Sequence, residues 1–186
     1  MKKIIAFVGS PRNEGNTAVL LQQMLKGAAN AGAETSIVHL NDLTYRGCQG
    51  CYQCRTADCC MHRDDVTPLL YDIAAADAII LGSPNYMGQM TGQLKLMIDR
   101  FCSFMNADYT SRLAQGKKVA LVFTQGQPNA QEYADYYAST ARSLTFLGFT
   151  GGCETLVAPG LRAPGEVAEN DDLMAQAYAM GARLTE

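Results

Sequence analysis

The chain has 186 residues, 48% of them hydrophobic, with 15 Lys and Arg against 18 Asp and Glu for a net charge of −3. This excludes a disordered chain, and no basic block is available to neutralise a nucleic-acid backbone or an anionic membrane. One domain of this length buries roughly 70% of its unfolded surface within a radius of gyration of roughly 16 Å, so its core needs no disulfide staples.

In chain order, Lys2 and Lys3 precede an apolar run, Ile4–Gly9, that is too short for a signal peptide and meets Ser10, Pro11 and Arg12 without a cleavage site, so a cytoplasmic location is expected. Ile4–Val8 is short and unbroken, the pattern of a strand buried on both faces. Asn16 or Thr17 is expected to cap a helix whose Val19, Leu20, Leu21, Met24 and Leu25 recur at helical spacing until Gly27 and Gly32. Thr35–Leu40 predicts a second strand, a cysteine-rich loop follows, and Thr67 with Pro68 opens a helix through about Ala76.

Ala78–Leu81 predicts the third strand. The uncharged run Ala78–Leu94 is the longest in the chain, but Gly82, Pro84, Asn85 and Gly88 break it, so nothing reaches the roughly 18 apolar residues of a membrane helix. After Gly82–Gly92, one helix is expected to carry Leu94, Leu96, Met97, Ile98, Phe101 and Phe104. Lys118–Phe123 predicts a fourth strand, Ala130–Leu147 a helix, Cys153–Val157 a fifth strand, and a last helix begins near Asp171. No linker or repeat divides residues 1–186, which are read as a single domain. Alternating strands and helices predict a parallel sheet covered on both faces, with flavodoxin-like order 2-1-3-4-5. Ligands of such sheets sit beyond the carboxyl ends of the strands, at the switch point between the first and third.

The first such loop, Gly9–Thr17, opens a helix and so presents free N–H groups to an anion. Ser10 and Thr17 add hydroxyls, Arg12 a charge, Asn16 an amide, and the glycines allow close approach. A Walker loop needs four residues between its glycines and then Lys; here five separate Gly9 from Gly15, and Asn16 follows. The dinucleotide pattern GxGxxG is also absent. What remains is a monophosphate, such as that of FMN. The third loop offers Pro84, Asn85, Tyr86, Met87 and Gly88, with Tyr86 and Met87 as flat apolar neighbours for a flavin ring and the backbone for its pyrimidine edge.

Gly9-Ser10-Pro11-Arg12 with Asn16-Thr17, Gly82-Ser83-Pro84-Asn85-Tyr86, and Gln93-Leu94-Lys95 with Ile98-Asp99-Arg100 together resemble the NADPH-dependent FMN reductase group of the flavodoxin-like superfamily. The likeness runs to about residue 125. It implies noncovalent FMN, with the phosphate on the first loop and the ring edge on the third. It also implies contact from the loop after the fourth strand, here Thr124, Gln125 and Gly126, and a homodimer or homotetramer.

Five of the seven cysteines lie between Cys48 and Cys60, and the odd total fits a metal or redox site better than a disulfide framework. Cys48, Cys51, Cys54 and Cys59 are spaced C-x2-C-x2-C-x4-C, an interval at which one loop can wrap a [4Fe–4S] cluster, with Cys60 adjacent as a competing fourth ligand. Zinc and free or disulfide-forming thiols are the alternatives. The loop resembles that of the iron-sulfur flavoprotein branch, including the following pair Asp64 and Asp65. His62 is expected to face solvent, Cys102 and Cys153 to be small buried hydrophobes, and Tyr133, Tyr136 and Tyr137 to pack a helix face.

The sequence therefore predicts an FMN-dependent oxidoreductase in which no side chain serves as acid or base. Electrons would pass from NAD(P)H, or from a ferredoxin where the cluster is present, to a small-molecule acceptor such as a flavin or quinone, with no nucleic-acid or membrane partner. The rival readings are a flavodoxin-like electron carrier and a zinc-stabilised interaction module on the same fold.

Overall fold

The computed structural model describes residues 1–186. Five strands, β1 (Lys3–Val8), β2 (Glu34–His39), β3 (Ala78–Pro84), β4 (Lys118–Thr124) and β5 (Cys153–Ala158), form one parallel sheet in the order β2-β1-β3-β4-β5. Five helices alternate with them: α1 (Asn16–Asn30), α2 (Val66–Ala75), α3 (Gly92–Asp99), α4 (Ala134–Leu147) and α5 (Asp171–Arg183). The predicted flavodoxin-like topology is the observed one.

The period of two along each strand sorts the core. Ile5, Phe7, Leu81 and Phe123 face the side covered by α2, α3 and α4, while Ile4, Ala6, Val8, Ile80 and Val122 face α1 and α5. The central strands are buried almost throughout, whereas the edge strands β2 and β5 expose part of their length. That is why the inner strands read as continuous apolar runs and β2 does not.

Four local expectations are corrected. Asn16 and Thr17 do not cap α1. The residue before the helix is Gly15, with no side chain to cap it, and both lie in the first turn. β3 extends to Pro84 because Ser83 and Pro84 still pair with Phe123 and Thr124 of β4. The helix expected through Phe104 stops at Asp99 and tightens into a 3₁₀ turn, Arg100–Phe104, which buries Arg100, Phe101 and Phe104. Finally, α4 begins at Ala134 instead of Ala130. Asn129 draws Gln131 and Glu132 into turns, and the Gln125 amide donates to the Asn129 carbonyl at 2.8 Å.

Helices α1 and α5 pack backbone against backbone. A Cβ on Gly27 would run into the Tyr178 carbonyl, and one on Gly181 into the Met24 carbonyl, neither of which can rotate away. Gly181→Ala is expected to lower stability by about 3 kcal/mol through overpacking. A chemical-denaturation midpoint that does not move would show that the two helices can slide apart.

Candidate functional site

At the carboxyl ends of β1, β3 and β4 lies a polar cleft lined by Ser10, Arg12, Asn16, Thr17, Pro84, Asn85, Tyr86, Gln125 and Gly126. An adjoining cleft, sharing Asn85, Gln125 and Gly126, is lined by Met87, Gly88 and Tyr133. Every residue expected at the phosphate and ring thus borders this pair of clefts. The roles of several differ from those expected.

Four of these side chains are engaged in holding loops together. The Asn16 amide donates to the Ala163 carbonyl at 2.8 Å and accepts from the Val167 N–H at 3.0 Å, which ties α1 to the loop after β5. That loop brings Arg162 to the cleft, and the Glu166 carboxylate secures it by accepting from the N–H groups of Arg162 and Ala163, each at 2.8 Å. Thr17 is buried, its hydroxyl paired at 2.9 Å with that of Thr124. Asn85 donates to the Tyr137 hydroxyl at 2.8 Å and accepts from the Gly88 N–H at 3.0 Å. Gln125 accepts from the Tyr137 hydroxyl at 2.8 Å and donates to the carbonyls of Gln127 and Asn129.

Tyr137 is therefore more than packing. Its ring stacks on Phe123 at 4.0 Å and its hydroxyl joins the loops after β3 and β4. Burial pushes that phenol up, so it stays protonated and able to donate. Two further ties escaped the sequence reading. The Thr91 hydroxyl, at the start of α3, donates to the Gly9 carbonyl at 2.6 Å, and the Thr91 N–H donates to Ser83 Oγ at 2.9 Å. The signal for Thr91 was present, a threonine immediately before an amphipathic run.

Tyr86 and Gln89 exchange backbone hydrogen bonds across a tight turn in which Met87 has φ 54° and Gly88 φ 82°. Glycine takes this conformation freely, but methionine does so at a cost, and Met87 is 100% exposed. The turn holds the backbone of residues 86–88 rigid at the cleft edge.

What remains free is the chemistry of an anion site. Arg12 and Arg162 line the cleft, the Ser10 hydroxyl accepts from the Arg12 N–H at 3.1 Å and keeps its proton to donate, and the first-turn N–H groups of α1 have no intrahelical partners. This donor set fits a phosphate.

The cysteine loop leaves the end of β2 and descends along α3. The Tyr45 hydroxyl donates to the Gln93 carbonyl at 2.6 Å, Gly47 packs on Leu96, and the Arg46 carbonyl accepts from Arg100 at 2.8 Å. The loop therefore runs along α3 as far as Arg100. It encloses a second cavity beside the 3₁₀ turn that follows α3, separated from the Thr91 end of that helix by about 12 Å, eight residues at 1.5 Å each.

Cys48, Cys51, Cys54 and Cys60 line this cavity, together with Cys102 from the 3₁₀ turn. Cys59 does not; it faces the apolar core that contains Val66 and Leu70. In tandem cysteines on an irregular loop, one side chain enters the cavity and the other turns away, and Cys60 is the one that enters. His62, expected in solvent, also lines the cavity. Burial, then the neighbouring Cys102, push the Cys54 thiol up, while Arg55 opposes them.

Three arginines fix the walls. Arg55 donates to the Asn106 carbonyl at 2.5 Å and to Cys102 Sγ at 3.5 Å, while Arg112 reaches the carbonyls of Arg55 and Ala57. Arg100 is completely buried; it donates to Cys60 Sγ at 3.1 Å, to Asp64 at 2.8 Å and to the Thr67 hydroxyl at 2.9 Å. Asp65, the second member of the acidic pair, accepts from the Thr44 N–H at 2.7 Å.

The cavity fits an iron–sulfur cluster in donor chemistry: five thiols line it, guanidinium groups stand beside those of Cys60 and Cys102, and two buried polar atoms on its lining residues, His62 Nε2 and Ser103 Oγ, have no hydrogen-bond partner. No three Cys, His, Asp or Glu side chains converge as they would around a single ion. A cube takes its ligands at its corners, around a cavity.

The family model for NADPH-dependent FMN reductase matches residues 2–147. An iron-sulfur flavoprotein of Methanocaldococcus jannaschii is 43% identical over 98 residues, 53% of this chain and 51% of its own. Another, from Archaeoglobus fulgidus, is 37% identical over 133 residues, covering 71% and 64%. The chain thus spans between half and two thirds of these relatives. An FMN-dependent NADH-azoreductase from Bacillus anthracis, solved in complex with FMN, superposes with a TM-score of 0.73 at 14% identity over 100% of both chains, a likeness of fold. No helix is long and apolar enough to cross a membrane.

The Asp64–Arg100 pair gives a direct test of the loop. Partial burial pushes the Asp64 carboxyl up, but hydrogen bonds from Arg100, the Arg46 N–H and Thr67, with the guanidinium charge, outweigh it and hold the group below its usual 3.8. Its contribution is therefore full at neutral pH and is lost as pH falls through the lowered value. Asp64→Ala is expected to cost about 3 kcal/mol at pH 7 by leaving a buried guanidinium unpaired. In denaturant titrations the difference from wild type should shrink below about pH 4.

Proposed function

Because the chain belongs to the NADPH-dependent FMN reductase family, we propose that it is an FMN-dependent oxidoreductase, drawing electrons from NAD(P)H or a ferredoxin and delivering them to a small acceptor such as a flavin or quinone. The observation that carries this reading is the phosphate-type cleft at the N-terminus of α1, continuous with a second cleft bordered by Tyr133 and the rigid turn at Met87–Gly88. That is the switch point between β1 and β3, where such sheets bind ligands. The azoreductase solved with FMN shares the fold.

Arg12, Arg162, Ser10 and the first turn of α1 would hold the phosphate. The backbone of Asn85–Gly88 and Gly126 would meet the ring edge. Asn16, Thr17, Asn85 and Gln125 act at one remove, by fixing the loops that carry these groups. Bound FMN supplies the hydride and single-electron chemistry, so the protein's part is to bind, orient and exclude solvent.

The names of the relatives support an iron–sulfur reading of the second cavity. Its proposed ligands are Cys48, Cys51, Cys54 and Cys60. Cys60 replaces Cys59 because it lines the cavity and receives the Nε–H of buried Arg100, a cation that favours thiolate. A cluster there supplies one-electron steps. Electrons would pass between the two cavities directly or between copies in a homodimer or homotetramer.

An absorbance spectrum of anaerobically purified protein, with iron, sulfide and zinc assayed on the same sample, tests both cofactors. Flavin bands with about four irons per chain are expected. A colourless protein with stoichiometric zinc would overturn the oxidoreductase reading in favour of an interaction module. NADPH oxidation that never exceeds the background rate, with cycling only against a partner protein, would favour an electron carrier.

Arg12→Ala is expected to weaken FMN binding about tenfold, or about 1.4 kcal/mol, and to leave riboflavin binding unchanged, as read by flavin fluorescence. Cys60→Ser is expected to lose its iron, whereas Cys59→Ser retains it. The opposite result would restore Cys59 as the fourth ligand.

A further inference from the structure

Ser103 is 2% exposed, and its Oγ has no hydrogen-bond partner. It lines the cavity of Cys48, Cys51, Cys54 and Cys60, and so does His62, whose Nε2 is likewise buried and unpartnered. A buried hydroxyl without an acceptor costs about 1–3 kcal/mol, and native structures keep few of them. The nearby donors and acceptors offer no relief. Arg100 is engaged with Cys60, the Arg46 carbonyl, Asp64 and Thr67, and the Asp64 carboxylate with Arg100, Arg46 and Thr67. Ser103 sits on the short 3₁₀ turn Arg100–Phe104, whose flanking Phe101 and Phe104 are anchored in the core. The turn therefore holds Ser103 in the cavity wall, with its hydroxyl shielded from water.

A serine hydroxyl has one proton to give, and a histidine Nε2 gives one in the tautomer protonated there. A cluster held by four thiolates offers acceptors of the matching kind, the sulfurs of its shell. Hydrogen bonds to those sulfurs strengthen as negative charge accumulates, so they stabilise the reduced form and raise the reduction potential. We propose that Ser103, with His62, donates hydrogen bonds to the sulfur shell of the cluster and sets its reduction potential upward. This rests on the reading of the cavity as a cluster site. It assigns a role to two residues that are not ligands, and it explains why a hydroxyl and one imidazole nitrogen are buried beside the cysteines without partners.

The test uses the anaerobic holoprotein and three variants, Ser103→Ala, Ser103→Thr and His62→Phe. Cluster and flavin midpoint potentials are read separately by redox titration, and Fe–S stretching bands by resonance Raman in H₂O and D₂O. Ser103→Ala is expected to keep its iron and shift the cluster reduction equilibrium about tenfold toward the oxidised form, ~59 mV for a one-electron couple. The flavin potential should stay in place. Ser103→Thr, which keeps the hydroxyl, should restore most of the shift, and His62→Phe should move the cluster in the same direction as Ser103→Ala. The D₂O-sensitive displacement of the Fe–S bands should weaken in both donor-deleted variants.

An unchanged cluster potential in iron-replete Ser103→Ala would overturn the proposal while leaving the cluster reading intact. Loss of iron from both Ser103→Ala and His62→Phe would also overturn it, since the side chains would then retain the cluster instead of tuning it. Wild-type protein without iron or sulfide would remove the cluster reading, and the proposal with it.

Discussion

Arg100 holds a full positive charge with no solvent exposure, and the arrangement of the cysteine loop depends on how that charge is satisfied. Its partners all come from residues 46–67, 33 to 54 residues before it in the chain. The Arg46 carbonyl opens the loop, Cys60 and Asp64 close it, and Thr67 belongs to the first turn of α2. The desolvation cost of such a pair offsets much of its attraction, so its chief effect is to penalise any arrangement that leaves the charge bare. A loop with little regular structure of its own is thereby given one conformation. Cys60 is held at the cavity by the same guanidinium, which couples the folding of the loop to the choice of thiols that line the cavity.

The clefts at the carboxyl ends of the strands follow a related rule. Side chains that looked like ligands mostly bind other loops: Asn16 the segment after β5, Thr17 the end of β4, and Asn85 and Gln125 the hydroxyl of Tyr137. Main-chain donors and two arginines are left to face an anion. This division suits a cofactor site, because a ligand bound by backbone groups is held only as firmly as the loops that carry them. The strained turn at Met87 and the stacked Phe123–Tyr137 pair belong to the same framework.

The fold was legible because it rests on local patterns. Unbroken apolar runs marked β1, β3 and β4, and the spacing of Leu20, Leu21 and Met24 marked α1. Only element ends went astray. β3 runs on to Pro84 because β4 continues to pair with it, and α3 stops short where Arg100 must be buried. The signal for the latter was an arginine placed among Met97, Phe101 and Phe104 on a core-facing stripe, where an unpaired charge is never left.

By itself the sequence determined the sheet and its order, the donor-rich loop at the start of α1, and the presence of a group of neighbouring cysteines, because each depends on residues adjacent in the chain. The tertiary structure alone decided which of Cys59 and Cys60 faces the cavity, that Cys102, His62 and Ser103 join it, and that Arg162 reaches the cleft at the carboxyl ends of the strands. These facts turn on side-chain direction and on contacts between segments 40 to 150 residues apart. Spacing along the chain does not encode them, since rotating an irregular loop by one residue reverses which side chain points inward.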